Sequence, residues 1–216
     1  MGVKPVDTND SIRAHDQEAN EYDGQVKEYE CYVHDVIFGM SYEYVKAGDR
    51  LLDLGIGTGL ASLQFSGMSL EVYGIDGSAE MLRICRAKNI AKELRQFDLR
   101  NTPFPYINRF FDQIICCGVL HFFGELKPIF AEAARIIKPG GIFTFTIVAP
   151  VEGDEDYSSR MVGGGTVFSH KRECIAKLLR DCGFKKLKEL TMTAKTGATD
   201  IPELTYGVYV TRRCSE

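Results

Sequence analysis

Short apolar runs alternate with helical patterns through most of the chain. Leu51, Leu52 and Leu54 form a run of the kind that a strand buried on both faces uses. Further apolar runs predict strands at residues 70–75, 94–97, 110–119 and 142–148, and patterns of helical spacing lie between most of them. Strands that alternate with helices predict a doubly wound, mainly parallel sheet with helices on both faces.

The two ends of the chain have other patterns. Residues 11–45 carry apolar side chains at helical spacing and predict two or three helices. Residues 150–168 begin with acidic residues and contain three consecutive glycines, which predicts a variable loop. Ser169 is expected to cap a last helix, and two strands at 184–193 and 204–212 are expected to close the chain as a hairpin.

Composition narrows the class of protein. A length of 216 residues fits one domain, and a net charge of −4 argues against a dedicated nucleic-acid-binding protein. The seven cysteines lack CxxC spacing, which predicts reduced thiols and no metal site. No apolar stretch has the length of a signal peptide core or a membrane span. We therefore expect a cytoplasmic protein, either a monomer or a homodimer, without membrane contact.

The turn after the first predicted strand carries the candidate chemistry. Gly55, Gly57 and Gly59 follow that strand, and a helical pattern begins directly after them. Such a turn presents bare backbone N–H groups, which favour a carboxylate or a phosphate. The spacing GxGxG is one residue shorter than the GxGxxG of dinucleotide-binding turns. Asp76, at the end of the second predicted strand, suits the two hydroxyls of a ribose.

Asp53, the GxGxG turn and Asp76 together resemble class I S-adenosylmethionine (SAM)-dependent methyltransferases more than dehydrogenases. The run ARIIKPGG at residues 134–141 and the Ala-x-x-Tyr-Asp segment at residues 19–23 are also similar to that family. The resemblance implies a Rossmann-like α/β fold with a seven-stranded sheet of order 3-2-1-4-5-7-6 and an N-terminal helical cap.

The resemblance also implies a division of this single domain. Residues 1–47 would form the helical cap, either a structural cover or a lid whose aromatic contact to the cofactor is Tyr22. Residues 48–150 would form the cofactor-binding core. Residues 151–168 would form an acceptor-side loop, with a surface loop of no specific role as the alternative. Residues 169–216 would form the C-terminal helix and hairpin.

The implied cofactor is SAM, with S-adenosylhomocysteine (SAH) as its product. The third acid, Asp98, or the backbone beside it, would meet the adenine amino group; the alternative is that Asp98 only caps its own turn. The cofactor-binding residues implied in this way are Tyr22, Asp53, Gly55, Gly57, Thr58, Gly59, Asp76, Gly77, Met81, Asp98, Leu99, Cys117, Gly118 and Val119.

The acceptor is less defined than the cofactor. The Asn/Asp-Pro-Pro-Tyr/Phe tetrad of many exocyclic-amine methyltransferases is replaced by Gly-Val-Leu-His at residues 118–121, and the paired-glutamate loop of protein arginine methyltransferases is absent. The pattern is similar to small-molecule enzymes, including the C-methyltransferases of quinone biosynthesis and the Williams–Beuren-region methyltransferase-like proteins. The alternatives are an RNA or protein methyltransferase, a non-catalytic SAM-binding protein, and an NAD-dependent or nucleotide-sugar enzyme.

His121 is the candidate catalytic residue. It follows the fourth predicted strand, at the edge of the sheet where open α/β folds bind ligands. An imidazole at that position suits a general base at neutral pH. The alternative is a packed histidine bonded to a backbone carbonyl.

Overall fold

One mixed sheet with helices on both faces organises the residues that the computed structural model describes, 9–149, 157–162, 165–196 and 202–215. The strands are β1 (Arg50–Leu54), β2 (Glu71–Asp76), β3 (Glu93–Gln96), β4 (Phe111–Cys116), β5 (Ile137–Val148), β6 (Tyr157–Val162), β7 (Gly165–His170), β8 (Phe184–Lys195) and β9 (Glu203–Arg213). The helices are α1 (Asn9–Glu18), α2 (Tyr22–Glu28), α3 (Val33–Ser41), α4 (Leu60–Gly67), α5 (Ala79–Ala87), α6 (Lys127–Ile136) and α7 (Arg172–Asp181).

The order of the strands confirms the doubly wound fold. β3, β2, β1, β4 and β5 lie side by side in that order and are parallel. β9 pairs antiparallel with β5, and β8 pairs antiparallel with β9. These seven strands have the predicted arrangement. The predicted number of seven strands is corrected, because the sheet has nine strands among the described residues.

The two additional strands lie in the segment that was predicted as a loop, 151–168. β6 and β7 form an antiparallel hairpin, and β7 meets the end of β5 through the pair Val148–Ser169. Val167 is buried in a small cluster with Val148 and Leu204. The acidic and glycine residues of this segment are turn signals, whereas the pairing with β5 is a long-range contact that no local pattern shows. The acidic residues 152–156 and the tip of the predicted closing hairpin, 197–201, lie outside the described residues.

Three local boundaries also differ from the prediction. β4 ends at Cys116 rather than at residue 119, and Gly118, at φ +67°, leads into a 3-10 turn, Leu120–Phe122. β5 begins at Ile137, so the Lys-Pro-Gly-Gly run forms a bulge against β4 and not a separate turn. Ser169 lies inside β7, with its hydroxyl 2.7 Å from that of Ser158, and it does not cap α7.

The core occupies both faces of the sheet, as predicted. On one face, Phe130 of α6 packs edge-on against Phe143 and Phe145 of β5. On the other face, Ile37 of α3 is fully buried in a cluster with Phe65 of α4. α3 is therefore part of the core layer. Burying a side chain of this size contributes about 1.5–3 kcal/mol to stability. Within the predicted cap, α1 and α2 contribute side chains to the cavity beyond the end of the sheet.

Candidate functional site

A cavity of about 610 Å³ lies beyond the carboxyl ends of β1, β2 and β4. The segments that leave these strands line it at Gly55, Gly77 and Cys117, and α1, α2, α3, the β6–β7 hairpin and β9 are among the elements that supply the other walls. Open α/β sheets bind their ligands at this end of the strands, because the connections there diverge and leave a crevice.

The glycine turn has a conformation that other residues would strain. Gly55 has φ +75°, and a Cβ there would lie 2.5 Å from Cγ2 of Val119. Gly59 has φ +88° and precedes the first turn of α4, where a Cβ would lie 2.9 Å from the Cys85 sulfur. Gly59 faces that packing and is not among the residues that line the cavity, and its conformation allows the turn.

Asp76 holds the glycine turn in place. Its Oδ2 accepts a hydrogen bond from the backbone N–H of Gly57 at 2.8 Å, and its Oδ1 accepts one from that of Ser78 at 2.8 Å. Burial raises the pKa of Asp76, and these two bonds lower it in part. Each carboxylate oxygen has a second acceptor position. The residue at the tip of β2 is therefore able to receive further hydroxyl donors from the cavity.

Asp53 is a buried carboxyl group with one unused oxygen. Its side chain is 1% exposed, and its Oδ2 accepts a hydrogen bond from the Ser62 hydroxyl at 2.7 Å. Its Oδ1 is buried without a partner among the described residues. Burial is the main cause that raises the pKa of Asp53 to about 7. Because an unpaired buried acceptor is costly, this residue on the cavity wall fits a ligand that brings a cationic N–H donor.

The region after β3 supplies apolar surface beside the two acids. Met81 and Leu99 are buried and line the cavity. Asp98 also lines it, but its carboxylate accepts hydrogen bonds from the side chain and the backbone of Arg100. Burial tends to raise the pKa of Asp98, and the bonds from Arg100 outweigh it, so that this pKa is lowered. The side chain of Asp98 thus stabilises its own turn. The adjacent residue Leu99 lines the cavity.

His121 lies on the 3-10 turn after β4 and is 8% exposed. Its ring centroid is 4.1 Å from that of Phe122 and 6.2 Å from that of Tyr206. Burial, followed by the nearby His15, lowers the pKa of His121 to about 3. The histidine that bonds to a backbone carbonyl is His170, whose Nε2 is 2.9 Å from the oxygen of Phe123.

The first two helices contact the site through polar side chains. Asp23 accepts a hydrogen bond from the Thr58 hydroxyl at 2.5 Å and forms an ion pair with Lys88 at 2.5 Å. Asp16 of α1 accepts a hydrogen bond from the Ser78 hydroxyl at 2.5 Å. Ser78 in turn caps α5, as predicted. The N-terminal helices are therefore attached to the residues that flank the glycine turn and Asp76.

Most of the predicted site residues meet at this one cavity. Those that line it are Tyr22, Asp53, Gly55, Gly57, Thr58, Asp76, Gly77, Met81, Asp98, Leu99, Cys117, Gly118, Val119 and His121. The cavity also includes His15, Phe168 and Tyr206, which the sequence did not single out. His15 belongs to α1, within the predicted cap. The other two residues belong to β7 and β9, whose position depends on pairing with β5.

Three further observations describe the chain as a whole. None of the described helices combines the length and the apolar character that a membrane-spanning helix needs. No disulfide bond joins the seven cysteines, all of which lie in the described ranges. Among the described residues, no cluster of three or more His, Cys, Asp or Glu side chains is arranged to hold a metal ion.

Comparison with known proteins points to one family. Residues 52–145 match the family described as methyltransferase domain. A demethylmenaquinone methyltransferase of Tropheryma whipplei is 33% identical over 97 residues, which are 45% of this chain and 41% of that protein. A phosphatidylethanolamine N-methyltransferase of Cereibacter sphaeroides is 37% identical over 100 residues, which are 44% of this chain and 48% of that protein. The chain thus spans less than half the length of these relatives.

The fold has matches among solved structures. The 1,6-didemethyltoxoflavin-N1-methyltransferase of Burkholderia thailandensis, solved with 1,6-didemethyltoxoflavin and SAH, has a TM-score of 0.72 at 14% identity. The match covers 100% of this chain and 94% of that chain. At this identity the similarity shows the fold, and it extends over the whole length of the chain.

Proposed function

Residues 52–145 match the methyltransferase domain family, and we propose that the chain is a class I SAM-dependent methyltransferase that transfers a methyl group from SAM to a small-molecule acceptor by in-line displacement. When bound, SAM supplies an activated methyl group on a sulfonium. The protein then has to hold the acceptor in line at about 3–3.5 Å, and such orientation is worth on the order of 7–11 kcal/mol.

The observation that carries this proposal is the unused carboxylate oxygen of Asp53 next to the glycine turn. The amino group of the methionine part of SAM is a cation with N–H donors, which suits that oxygen. Asp76 offers acceptors for the ribose hydroxyls, and Met81 and Leu99 offer apolar surface for the adenine. We propose the fourteen predicted cofactor residues as the binding set, with Gly59 acting through the turn conformation only.

Walls on two sides of the site support a small acceptor rather than a macromolecule. α1 and α2 contribute walls on the cofactor side, and the β6–β7 hairpin contributes walls on the other side. The net charge of −4 gives no support for nucleic-acid binding. We also propose a cytoplasmic monomer or homodimer, with residues 48–150 as the cofactor-binding core and α1–α2 as a lid.

Whether His121 acts as a general base stays a prediction. Its place at the cavity suits that role, but its lowered pKa means that the imidazole takes up a proton only with difficulty. A base is needed only for acceptors whose nucleophilic atom must lose a proton.

Calorimetry with SAM, SAH and NAD tests the proposal. We expect heat of binding for SAM and SAH and none for NAD, and binding of NAD alone would contradict the family function. A screen for SAH release across small metabolites, lipids and RNA then separates the alternatives. Turnover only on RNA would contradict a small acceptor, and binding without turnover on any class would indicate a non-catalytic SAM-binding protein.

A further inference from the structure

The part of the cavity on the far side from β2 and β3 has mainly apolar walls. The sheet order puts β2 and β3 on one side of β1 and β4, and β5, β7 and β9 on the other side. We name the cavity on this second side the acceptor half; it is lined by Cys31, Phe122, Val162, Phe168, Leu204 and Tyr206. Aromatic and aliphatic side chains dominate this lining, so it fits a molecule with an apolar body.

The acceptor half has no charge of its own. None of the six residues named above is Asp, Glu, Lys or Arg, and Lys195, which also lines the cavity, forms an ion pair with Glu30 at 2.7 Å. Burial raises the pKa of Cys31 and Tyr206 and lowers that of His121. These groups are therefore neutral at neutral pH. The positive sulfonium of bound SAM would face this half without a counter-charge from the wall.

Two polar side chains line this wall. They are the hydroxyl of Tyr206 and the imidazole of His121, whose rings lie 6.2 Å apart. A tyrosine hydroxyl at the wall of a cavity is able to donate a hydrogen bond to a ligand there.

We propose that the acceptor half takes an apolar carboxylic acid as its carboxylate anion, that the Tyr206 hydroxyl donates a hydrogen bond to it, and that the product is the methyl ester. This inference rests on the proposed methyltransferase function. A carboxylate oxygen attacks the methyl carbon of SAM, an O–C bond forms, and the C–S bond breaks with its electron pair left on sulfur. The negative carboxylate and the positive sulfonium become a neutral ester and a neutral thioether, so no proton has to be removed.

Nucleophiles that must lose a proton need a base, which this wall does not offer. An alcohol, a phenol or an alkylammonium ion must lose a proton to react, which requires a base of suitable pKa. His121 is the candidate, and it faces Phe122, Tyr206 and the His15 of α1, but burial lowers its pKa to about 3. A cationic amine would also place a second positive charge beside the sulfonium in a cavity of low polarity.

Binding of the acceptor tests the charge argument without turnover. Short, medium and long aliphatic carboxylates and aryl carboxylates are titrated by calorimetry into the protein saturated with SAH or with sinefungin, which has a protonated amine where SAM has its methyl sulfonium. We expect the best carboxylate to bind at least tenfold more tightly to the sinefungin complex. Equal affinity for the two complexes, no binding of any carboxylate, or tighter binding of the matching amines would overturn the proposal.

Turnover tests the product. The same carboxylates are compared with amines, alcohols and phenols of the same body, and SAH release and product mass are measured. We expect methyl esters from the carboxylates. Methylation of an amine, alcohol or phenol faster than every carboxylate would overturn the proposal, as would the absence of ester from a protein that binds SAH in calorimetry. Failure to bind SAH at all would overturn the methyltransferase function itself.

A pair of tyrosine variants tests the proposed hydrogen bond. Tyr206→Phe should weaken carboxylate binding and raise its KM by about tenfold or more, the loss expected for a hydrogen bond to a charged group, with SAH affinity unchanged. Tyr209→Phe is the matched control on the same strand, because Tyr209 stacks on Phe145 in the core and does not line the cavity. It should keep the KM of the parent. A Tyr206→Phe protein with the KM of the parent would remove Tyr206 from the proposal.

Discussion

Asp53 is a residue whose charge state connects the site to the stability of the fold. Burial raises its pKa to about 7, against about 3.9 in an unfolded chain. Between these values the folded protein binds a proton that the unfolded chain has released. The stability that this group contributes is therefore complete below about pH 4 and is lost as the pH rises through about 7.

We expect this effect in urea denaturation of the unliganded protein at several pH values. Relative to Asp53→Asn, which resembles the protonated acid, the parent should lose about 1.4 kcal/mol of unfolding free energy for each pH unit in this window. Saturating SAH should reduce the slope, because its amino group stabilises the ionised carboxylate. A constant difference between parent and variant at every pH would show that Asp53 does not titrate there.

Asp76 has a structural role and a proposed binding role, and one substitution should test the two together. Asp76→Ala leaves the N–H groups of Gly57 and Ser78 without their acceptor, which costs roughly 1–3 kcal/mol of stability for each buried donor that stays unsatisfied. It also removes the proposed acceptor of the ribose hydroxyls. We expect a lower melting temperature without ligand and at least tenfold weaker SAH binding in calorimetry.

Asp112→Ala is the control for this variant. Asp112 also accepts a backbone hydrogen bond, from Arg50, but it lies at the opposite end of the sheet, where β4 begins. Its loss should lower the melting temperature and leave SAH affinity at the parental value. Equal SAH affinity in Asp76→Ala and Asp112→Ala would place the ribose elsewhere.

At the scale of elements, α1 and α2 are attached to the site by a small number of polar contacts. Asp23 contacts Thr58 and Lys88, and Asp16 contacts Ser78. Because Tyr22 lines the cavity, a bound cofactor should add contacts to these helices. We expect slower hydrogen exchange across residues 18–30 when SAH is bound. Equal exchange in both states would mean that the helices are a fixed cover.

Asp23→Ala should loosen this attachment. The hydrogen bond to Thr58 and the partly exposed ion pair to Lys88 are together worth about 1–2 kcal/mol. We expect SAH to dissociate about fivefold to tenfold faster, as measured by stopped-flow competition. Glu28→Ala changes an exposed acid on the same helix and should keep the parental rate. The same rate in both variants would exclude Asp23 as the attachment point.

At the scale of the whole molecule, the cavity joins segments from nearly the full length of the chain, so a ligand should stabilise the entire fold. At about a hundred times its dissociation constant a ligand adds about 2.7 kcal/mol. For a domain of this size that amounts to a rise of roughly 5–11 °C in melting temperature with SAH. NAD at the same concentration should give no shift, and a shift with NAD alone would contradict the cofactor assignment.

The sequence by itself determined the parallel core and its cofactor edge. Apolar runs mark β1, β2 and β4 because strands buried on both faces need continuous apolar residues, and the glycine turn is visible because only glycine tolerates its backbone. Asp53 and Asp76 were found because they stand at fixed positions relative to those strands. All of these signals lie within a few residues of one another along the chain.

Only the tertiary structure decided the acceptor half and the state of the polar groups. The β6–β7 hairpin forms where its strands meet the end of β5, and Tyr206 reaches the cavity through the pairing of β9 with β5. The raised pKa of Asp53 and the lowered pKa of His121 come from burial by elements far away in the sequence. Local periodicity shows which face of a strand is apolar, whereas the identity of its neighbours, and hence the desolvation of each site group, depends on how the whole sheet assembles.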